Sequence, residues 1–285
     1  MAILLPSVCG HRAKGTMKHP AGALTTARFS GHAATAGRRT GKRRYNADFD
    51  WDQFNSDWYR AHNYLSLRDD DTAIMTAVGE FFQARLKPPA VPLRGLDVGS
   101  GANLYPAMSM LPHCKQIDLR EFSRSNVRWL SDQLEHYDPH WDDFWNVYRR
   151  VPAYRSLANP REAMRKAARV ERMSIFDLPE HEWDMGTMFF VAESLTYDPR
   201  EFWRAVGCFV RALKPGAPFA AAFMADSQGY KVDKTQFPAV AVGIADVEDC
   251  LSVVAEVVGI DMVQTKRPLR RGYGGMILAT GVALS

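Results

Sequence analysis

From Tyr45 onward the chain alternates between two apolar rhythms. Across residues 70–87, Ile74, Val78, Phe81, Phe82 and Leu86 fall on one helical stripe, with Asp71 placed to cap the helix and Pro88, Pro89 and Pro92 to stop it. Helical spacing returns at 104–111, 125–137, 199–213 and 247–258, the last closed by Gly259. Shorter apolar runs at 93–98, 114–119, 168–176, 183–191 and 218–224 read as strands, and two more at 261–266 and 275–283 end the chain. Strands alternating with helices predict a doubly wound α/β fold, a mostly parallel sheet covered on both faces, with an antiparallel pair at the carboxyl end. Residues 46–285 then form one domain, carrying an aromatic segment at 46–68 and an aromatic, then basic, insert at 138–170.

Composition changes this picture only at the amino terminus. Of the 36 Lys and Arg residues, nine lie in positions 1–45, which hold no acid. That segment lacks hydrophobic periodicity and is expected to be disordered. It reads as an upstream extension with Met17 as the start, as a basic arm for acidic surfaces, or as an Arg-rich presequence. Elsewhere no apolar run reaches the ~18–20 residues that span a bilayer, so no membrane partner is expected. The four cysteines are scattered, which points to a reducing, cytoplasmic setting. The eight histidines are dispersed too, and Pro139 separates His136 from His140, so no metal site is expected. No Ser or Cys triad suggests covalent catalysis.

The chemistry concentrates at Asp97-Val98-Gly99-Ser100-Gly101, a strand end turning into a helix. Glycines let the backbone bend sharply and approach a ligand without a Cβ in the way. About twenty residues on, Asp118 ends the next predicted strand, placed to accept hydrogen bonds from the hydroxyls of a ribose. A dinucleotide fingerprint needs a third glycine where Leu104 stands. The acid at Asp97 points instead to the ammonium of S-adenosyl-L-methionine.

The run Asp97 to Tyr105 resembles the loop of the nicotinamide, phenylethanolamine and indolethylamine N-methyltransferase family, Asp-x-Gly-Ser-Gly-Pro-Thr-x-Tyr. Upstream, Phe54-Asn55-x-x-x-Tyr59-x-x-x-x-Tyr64 resembles that family's amino-terminal lid. The resemblance spans roughly residues 50–285 and implies a Rossmann-like class I methyltransferase. Its sheet would have seven strands, its amino terminus a helical and aromatic lid, and its product would be S-adenosyl-L-homocysteine. By this similarity Tyr59, Tyr64, Asp97, Gly99, Ser100, Gly101, Tyr105, Asp118 and Asn126 contact the cofactor, and Met173 and Ser174 flank the adenine. Two departures stand out. Asn126 lies eight residues after Asp118 instead of about five, and the family's substrate-engaging acid falls near Phe223 or Met224.

The acceptor is expected to be a small molecule methylated on an amine or ring nitrogen. An oxygen acceptor and a non-catalytic cofactor-binding protein are the alternatives. Tyr59, Glu193, Asp226 and Tyr230 are the candidates for orienting the acceptor or taking its proton, since three of them follow strands at the end where open sheets bind ligands. The insert interleaves basic and aromatic residues, as nucleic-acid surfaces do. A solvated helix face fits the run better, and no Asn-Pro-Pro-Tyr base-methylation motif follows the fourth strand, where Glu193-Ser194-Leu195-Thr196 stands. A nucleic-acid partner is therefore not expected; the protein acts as a monomer or homodimer.

Overall fold

The computed structural model describes residues 45–86, 93–264 and 274–285. The expectations for residues 1–44, Pro88, Pro89, Pro92 and Lys266 fall outside the described residues. Seven strands form one sheet in the order β3-β2-β1-β4-β5-β9-β8. They are β1 (Leu93–Val98), β2 (Cys114–Glu121), β3 (Ala168–Arg172), β4 (Met185–Phe189), β5 (Pro218–Ala225), β8 (Ala255–Val263) and β9 (Gly275–Ala283). The first five run parallel, and β9 lies antiparallel between β5 and β8. This is the doubly wound, mostly parallel, seven-stranded sheet that the alternating pattern and the resemblance implied.

Every residue of β5 is buried, and its side chains alternate between two apolar layers. Phe219, Ala221, Phe223 and Ala225 join the layer that includes α7 (Pro199–Ala212) and α8 (Ile244–Ser252). Ala220, Ala222 and Met224 face the opposite layer with α2 (Asp69–Arg85) and α5 (Trp141–Tyr148). Burial on both faces is why this strand reads as an unbroken apolar run. Helix α7 starts on an N-cap, Asp198, whose Oδ1 accepts from the Arg200 N–H at 2.8 Å, with Pro199 at the first helical position. Its buried Phe209 meets Phe219 edge-on, ring centres 5.9 Å apart.

The insert folds as α5 and α6 (Pro160–Ala167), after α4 (Arg124–Glu135). Its aromatic residues Trp141, Phe144, Trp145 and Tyr148 are core. Three of its exposed cations form surface ion pairs, Arg161 with Asp142 and both Arg165 and Lys166 with Glu162. The segment expected at 46–68 contains α1 (Ser56–Asn63), preceded by two short 3₁₀ turns.

The structure corrects five local expectations. Helix α8 ends at Ser252 and β8 begins at Ala255, because the Ala255–Val263 stretch, with β-branched Val257, Val258, Ile260 and Val263, pairs along β9 instead of continuing the helix. Gly259 does not close a helix; it sits where the β8–β9 register shifts. The helix expected at 104–111 is only α3 (Tyr105–Met108), followed by turns. A hairpin of β6 (Tyr230–Val232) and β7 (Thr235–Phe237) appears where no element was expected; it turns through Asp233, at φ 52°, without the Asn-Gly that signals such turns. Asp71 does not cap α2: the N-cap is Arg68, and Asp71 lies inside the first turn with its side chain buried.

The double-sided burial of β5 generates a stability prediction. Phe219→Ala is expected to cost ~3–5 kcal/mol in urea unfolding, whereas Val253→Ala, at an exposed position, should change stability by less than ~0.5 kcal/mol.

Candidate active site

At the carboxyl end of β1 the chain must leave the sheet at once, and two glycines in left-handed conformations allow it. Gly99 has φ 66° and Gly101 φ 58°, and a Cβ on Gly99 would stand 2.6 Å from the Val191 methyls. Just before them, Asp97 is buried, and its Oδ1 accepts from the Thr187 hydroxyl of β4 at 2.7 Å. Its Oδ2 has no hydrogen-bond partner. Burial raises this carboxyl to about 7, against the opposing bonds from Ser100 and Thr187.

Strand β2 runs two residues beyond its expected end and delivers Glu121 to the same place. Glu121 is buried; its Oε2 accepts from Gly101 N–H at 2.9 Å and its Oε1 from Ser123 N–H at 2.8 Å. Burial pushes the carboxyl up, and these backbone donors pull it back. One carboxylate thus ties the glycine turn to the start of α4, with lone pairs left for further donors.

A cavity with an empty volume of about 950 Å³, part of it open to solvent, opens over this turn. The glycine turn, Asp97, Glu121, Asn126, Met173, Ser174 and Ile175 line one part of it. Trp51, Phe54, Tyr59, Tyr64, Phe190, Leu195 and Tyr230 supply aromatic and apolar walls. The rings form a connected set: Phe54 to Tyr59 at 4.9 Å, and Trp51, Phe54 and Tyr230 each 5.2–5.6 Å from Phe237 of β7. The amino-terminal segment is fastened on both sides of the cavity. Asn46 N–H donates to Glu201 of α7 at 2.8 Å. Toward α4, Asp52 accepts from Arg124 N–H at 2.7 Å, Ser56 donates to Asn126 at 2.7 Å and Asp57 accepts from Trp129 at 3.2 Å.

Of the residues singled out in the sequence, Tyr59, Tyr64, Asp97, Gly99, Ser100, Gly101, Asn126, Met173, Ser174 and Tyr230 come together around the cavity. Four do not. Asp118 sits within β2, outside the cavity, accepting from Arg94 at 2.6 Å, Trp183 at 2.7 Å and Gln116 at 2.9 Å. Tyr105 lies one layer behind the wall, its hydroxyl donating to Asp71 at 3.0 Å. Glu193 is buried off the cavity, where its carboxylate accepts from Met224 N–H at 3.0 Å and its carbonyl from Val240 N–H at 2.8 Å. Asp226 is exposed, with φ 57°. Phe223, where the resemblance expects an acid, is core against Phe202.

Glu121 is the residue that sequence reasoning missed. The signal was present: Asn126 is five residues after Glu121, the spacing that failed when counted from Asp118. Among the described residues no group of three or more His, Cys, Asp or Glu is placed to hold a metal ion, and no helix is long and apolar enough to cross a membrane.

A cavity at the carboxyl ends of parallel strands defines a class of cofactor-binding α/β proteins, and solved structures share the fold. A S-adenosylmethionine-dependent methyltransferase from Clostridium acetobutylicum ATCC 824 superposes with a TM-score of 0.54 at 11% identity, covering 81% of this chain and 100% of that one. Magnesium protoporphyrin IX methyltransferase from Synechocystis PCC 6803, solved with bound cofactor, gives 0.53 at 12% identity over 80% of this chain and 90% of that one. The N-methyltransferase NodS from Bradyrhizobium japonicum WM9, in complex with S-adenosylhomocysteine, gives 0.53 at 12% identity over 80% and 97%. No curated protein matches the sequence. A sequence model of the NNMT/PNMT/TEMT family matches residues 42–270, and the chain belongs to that family of S-adenosylmethionine-dependent methyltransferases.

The two acids of β2 are expected to behave differently. Glu121→Ala should weaken S-adenosylhomocysteine binding at least tenfold by calorimetry with a small change in melting temperature, since the lost bonds are at the cavity. Asp118→Ala should leave the Trp183 indole N–H without its acceptor and Arg94 with Glu182 alone, and cost ~1–3 kcal/mol of stability instead.

Proposed function

We propose that this chain transfers a methyl group from S-adenosyl-L-methionine to a small-molecule acceptor, an amine or a ring nitrogen. One observation carries the reading: a single cavity brings Asp97, the glycine turn and Glu121 together with the rings of Trp51, Phe54, Tyr59 and Tyr230. The residues fit the cofactor. The buried Oδ2 of Asp97 lacks a hydrogen-bond partner and suits an ammonium, and Gly99 lets the turn pack against Val191 where a Cβ would clash. The remaining lone pairs of Glu121 suit ribose hydroxyls, and Met173, Ser174 and Ile175 form an apolar and hydroxyl-bearing edge for an adenine.

S-adenosylmethionine supplies an electrophilic methyl group, and in-line displacement needs from the protein mainly alignment and exclusion of water. Tyr59, Phe54 and Trp51 do this from the fastened amino-terminal segment, and ring faces also attract cationic groups. Among the described residues the only carboxylates lining the cavity are Asp97 and Glu121. With both assigned to the cofactor, the acceptor end holds rings, amides and the hydroxyls of Tyr59, Ser194 and Tyr230, and no base of carboxylate strength. This favours an acceptor whose nitrogen already presents a lone pair near neutral pH over a phenol that must first lose a proton. Phe223 in the place of the family's acid motivates a second reading, a cofactor-binding protein without transfer.

Incubating the purified protein with S-adenosylmethionine and a panel of free-base amines, N-heterocycles and phenols separates these readings. Acceptor-dependent S-adenosylhomocysteine formation with nitrogen compounds is expected; cofactor binding without turnover on any compound would support the second reading. The Asp97 assignment makes a further prediction. The free carboxyl holds its proton up to about pH 7, and an ammonium partner favours the ionised form. Binding of S-adenosylhomocysteine must therefore expel a proton at low pH, and its affinity should be about tenfold weaker at pH 6 than at pH 8. In Asp97→Asn that slope should flatten.

A further inference from the structure

Behind the tyrosine wall lies a second buried carboxylate that the proposed chemistry does not use. Asp71 is the third residue of α2, and its side chain is as sheltered as that of Asp97. The chain brings three acids into this first helical turn, where the helix dipole favours negative charge. Their surroundings then diverge. Asp69 is exposed, and Asp70 receives both Nε and an Nη of Arg68 at 2.9 and 2.8 Å. Asp71 receives one neutral donor, the Tyr105 hydroxyl, on Oδ1, and its Oδ2 is buried with no hydrogen-bond partner. A buried carboxylate whose one hydrogen-bond donor is a phenol is costly to ionise, and the neighbouring Arg68, engaged by Asp70, offsets only part of that cost.

Tyr105 links this acid to the cavity. Its ring packs edge-on against Tyr64 at 5.8 Å and against Phe189 at 5.8 Å, both of which line the cavity. Tyr64 in turn packs on Tyr59 at 6.0 Å. On the reading above, Asp97 answers the cofactor's ammonium and Glu121 its ribose. The sulfonium, a few bonds from the ammonium-bearing carbon, has no carboxylate of its own among the described lining residues.

We propose that Asp71 is a positioning residue that supplies, through Tyr105 and Tyr64, the buried negative charge answering the cofactor's sulfonium, so that the protein favours S-adenosylmethionine over the neutral-sulfur product. The proposal rests on the cavity being the cofactor site. It gives Tyr105 a role that does not require contact with the cofactor: its hydroxyl holds the carboxylate in place. It also provides for product release, since losing the sulfonium removes the cation on the cavity side of Asp71.

The test compares S-adenosylmethionine with S-adenosylhomocysteine by calorimetry on the full chain at pH 7.5. Asp71→Asn keeps the acceptor for Tyr105 and removes only the charge. It is expected to lose about tenfold in affinity for S-adenosylmethionine and less than twofold for S-adenosylhomocysteine. Equal losses for the two ligands would show a structural role and overturn the proposal, as would no loss for either. If Asp71→Asn does not fold, the wild-type protein gives the answer from the ratio of the two affinities between pH 5.5 and 7. Burial raises the Asp71 carboxyl to about 7, so its ionised fraction grows across this range and the ratio should move several-fold toward S-adenosylmethionine. A flat ratio would overturn the proposal. The groups facing Asp71 do not blur this readout: Asp70 and Arg68 are paired with each other, and Tyr64, Tyr105 and Tyr148 are pushed well above their ordinary range and stay neutral. Asp97 and Glu121 face groups common to both ligands and cancel in the ratio. Failure of the wild-type protein to bind either ligand would overturn the cofactor reading itself, a result distinct from binding without discrimination.

Discussion

Asp97 enters the buried carboxyl end of the sheet with one oxygen bonded to Thr187 and the other unmatched, while Glu121 of the neighbouring strand holds the backbone N–H groups of Gly101 and Ser123. The chain turns between these two carboxylates, which orient it through the Gly101 and Ser123 N–H groups and the Thr187 hydroxyl. Much of the surrounding architecture serves that arrangement. Strands β1, β2 and β4 must end level with one another, which the parallel register Val98 with Arg120 and Asp97 with Thr187 provides. Gly99 must lack a Cβ because Val191 closes from the other side.

The same turn explains why the amino-terminal segment and the insert pack where they do. A buried carboxylate without full pairing is costly, and walls that exclude bulk water strengthen the hydrogen bonds it does make. Helix α5 supplies the deep wall: Phe144 stacks on Tyr105 and Tyr148 donates to the Tyr105 carbonyl at 3.0 Å. The shallow wall comes from residues 46–64, fastened to α7 by Asn46 and to α4 by Asp52, Ser56 and Asp57. Asn126 belongs to both systems, lining the cavity and accepting from Ser56.

At the other end of the cavity the balance of chemistry is different. Rings and small polar groups replace charge, and Phe223 occupies core space where the family resemblance expects an acid. Glu193, the acid nearest in sequence to this end, is turned inward to hold the backbone of Met224 and Val240 and so stiffens the loops after β4 and β5.

The sequence alone was enough for the alternation of strands and helices, the glycine turn, its leading acid Asp97 and the Tyr59–Tyr64 pair, because each is a local property: a periodicity, a steric demand at one φ, or a fixed spacing. It was not enough to choose between Asp118 and Glu121. The two stand three residues apart on one strand, and an odd separation sends them to opposite faces. Only the pairing of β2 with β1 and β3 decides that the strand extends to Glu121 and that Asp118 is bound by Arg94 and Trp183 from distant segments. The same limit applies to α8 and β8, where valines fit either state until β9 lies alongside, and to Asp71, a helix-start acid by local rules. Its burial against Tyr105 exists only once α2 and α3 are packed together, since side-chain direction and burial are set by partners far away in the chain.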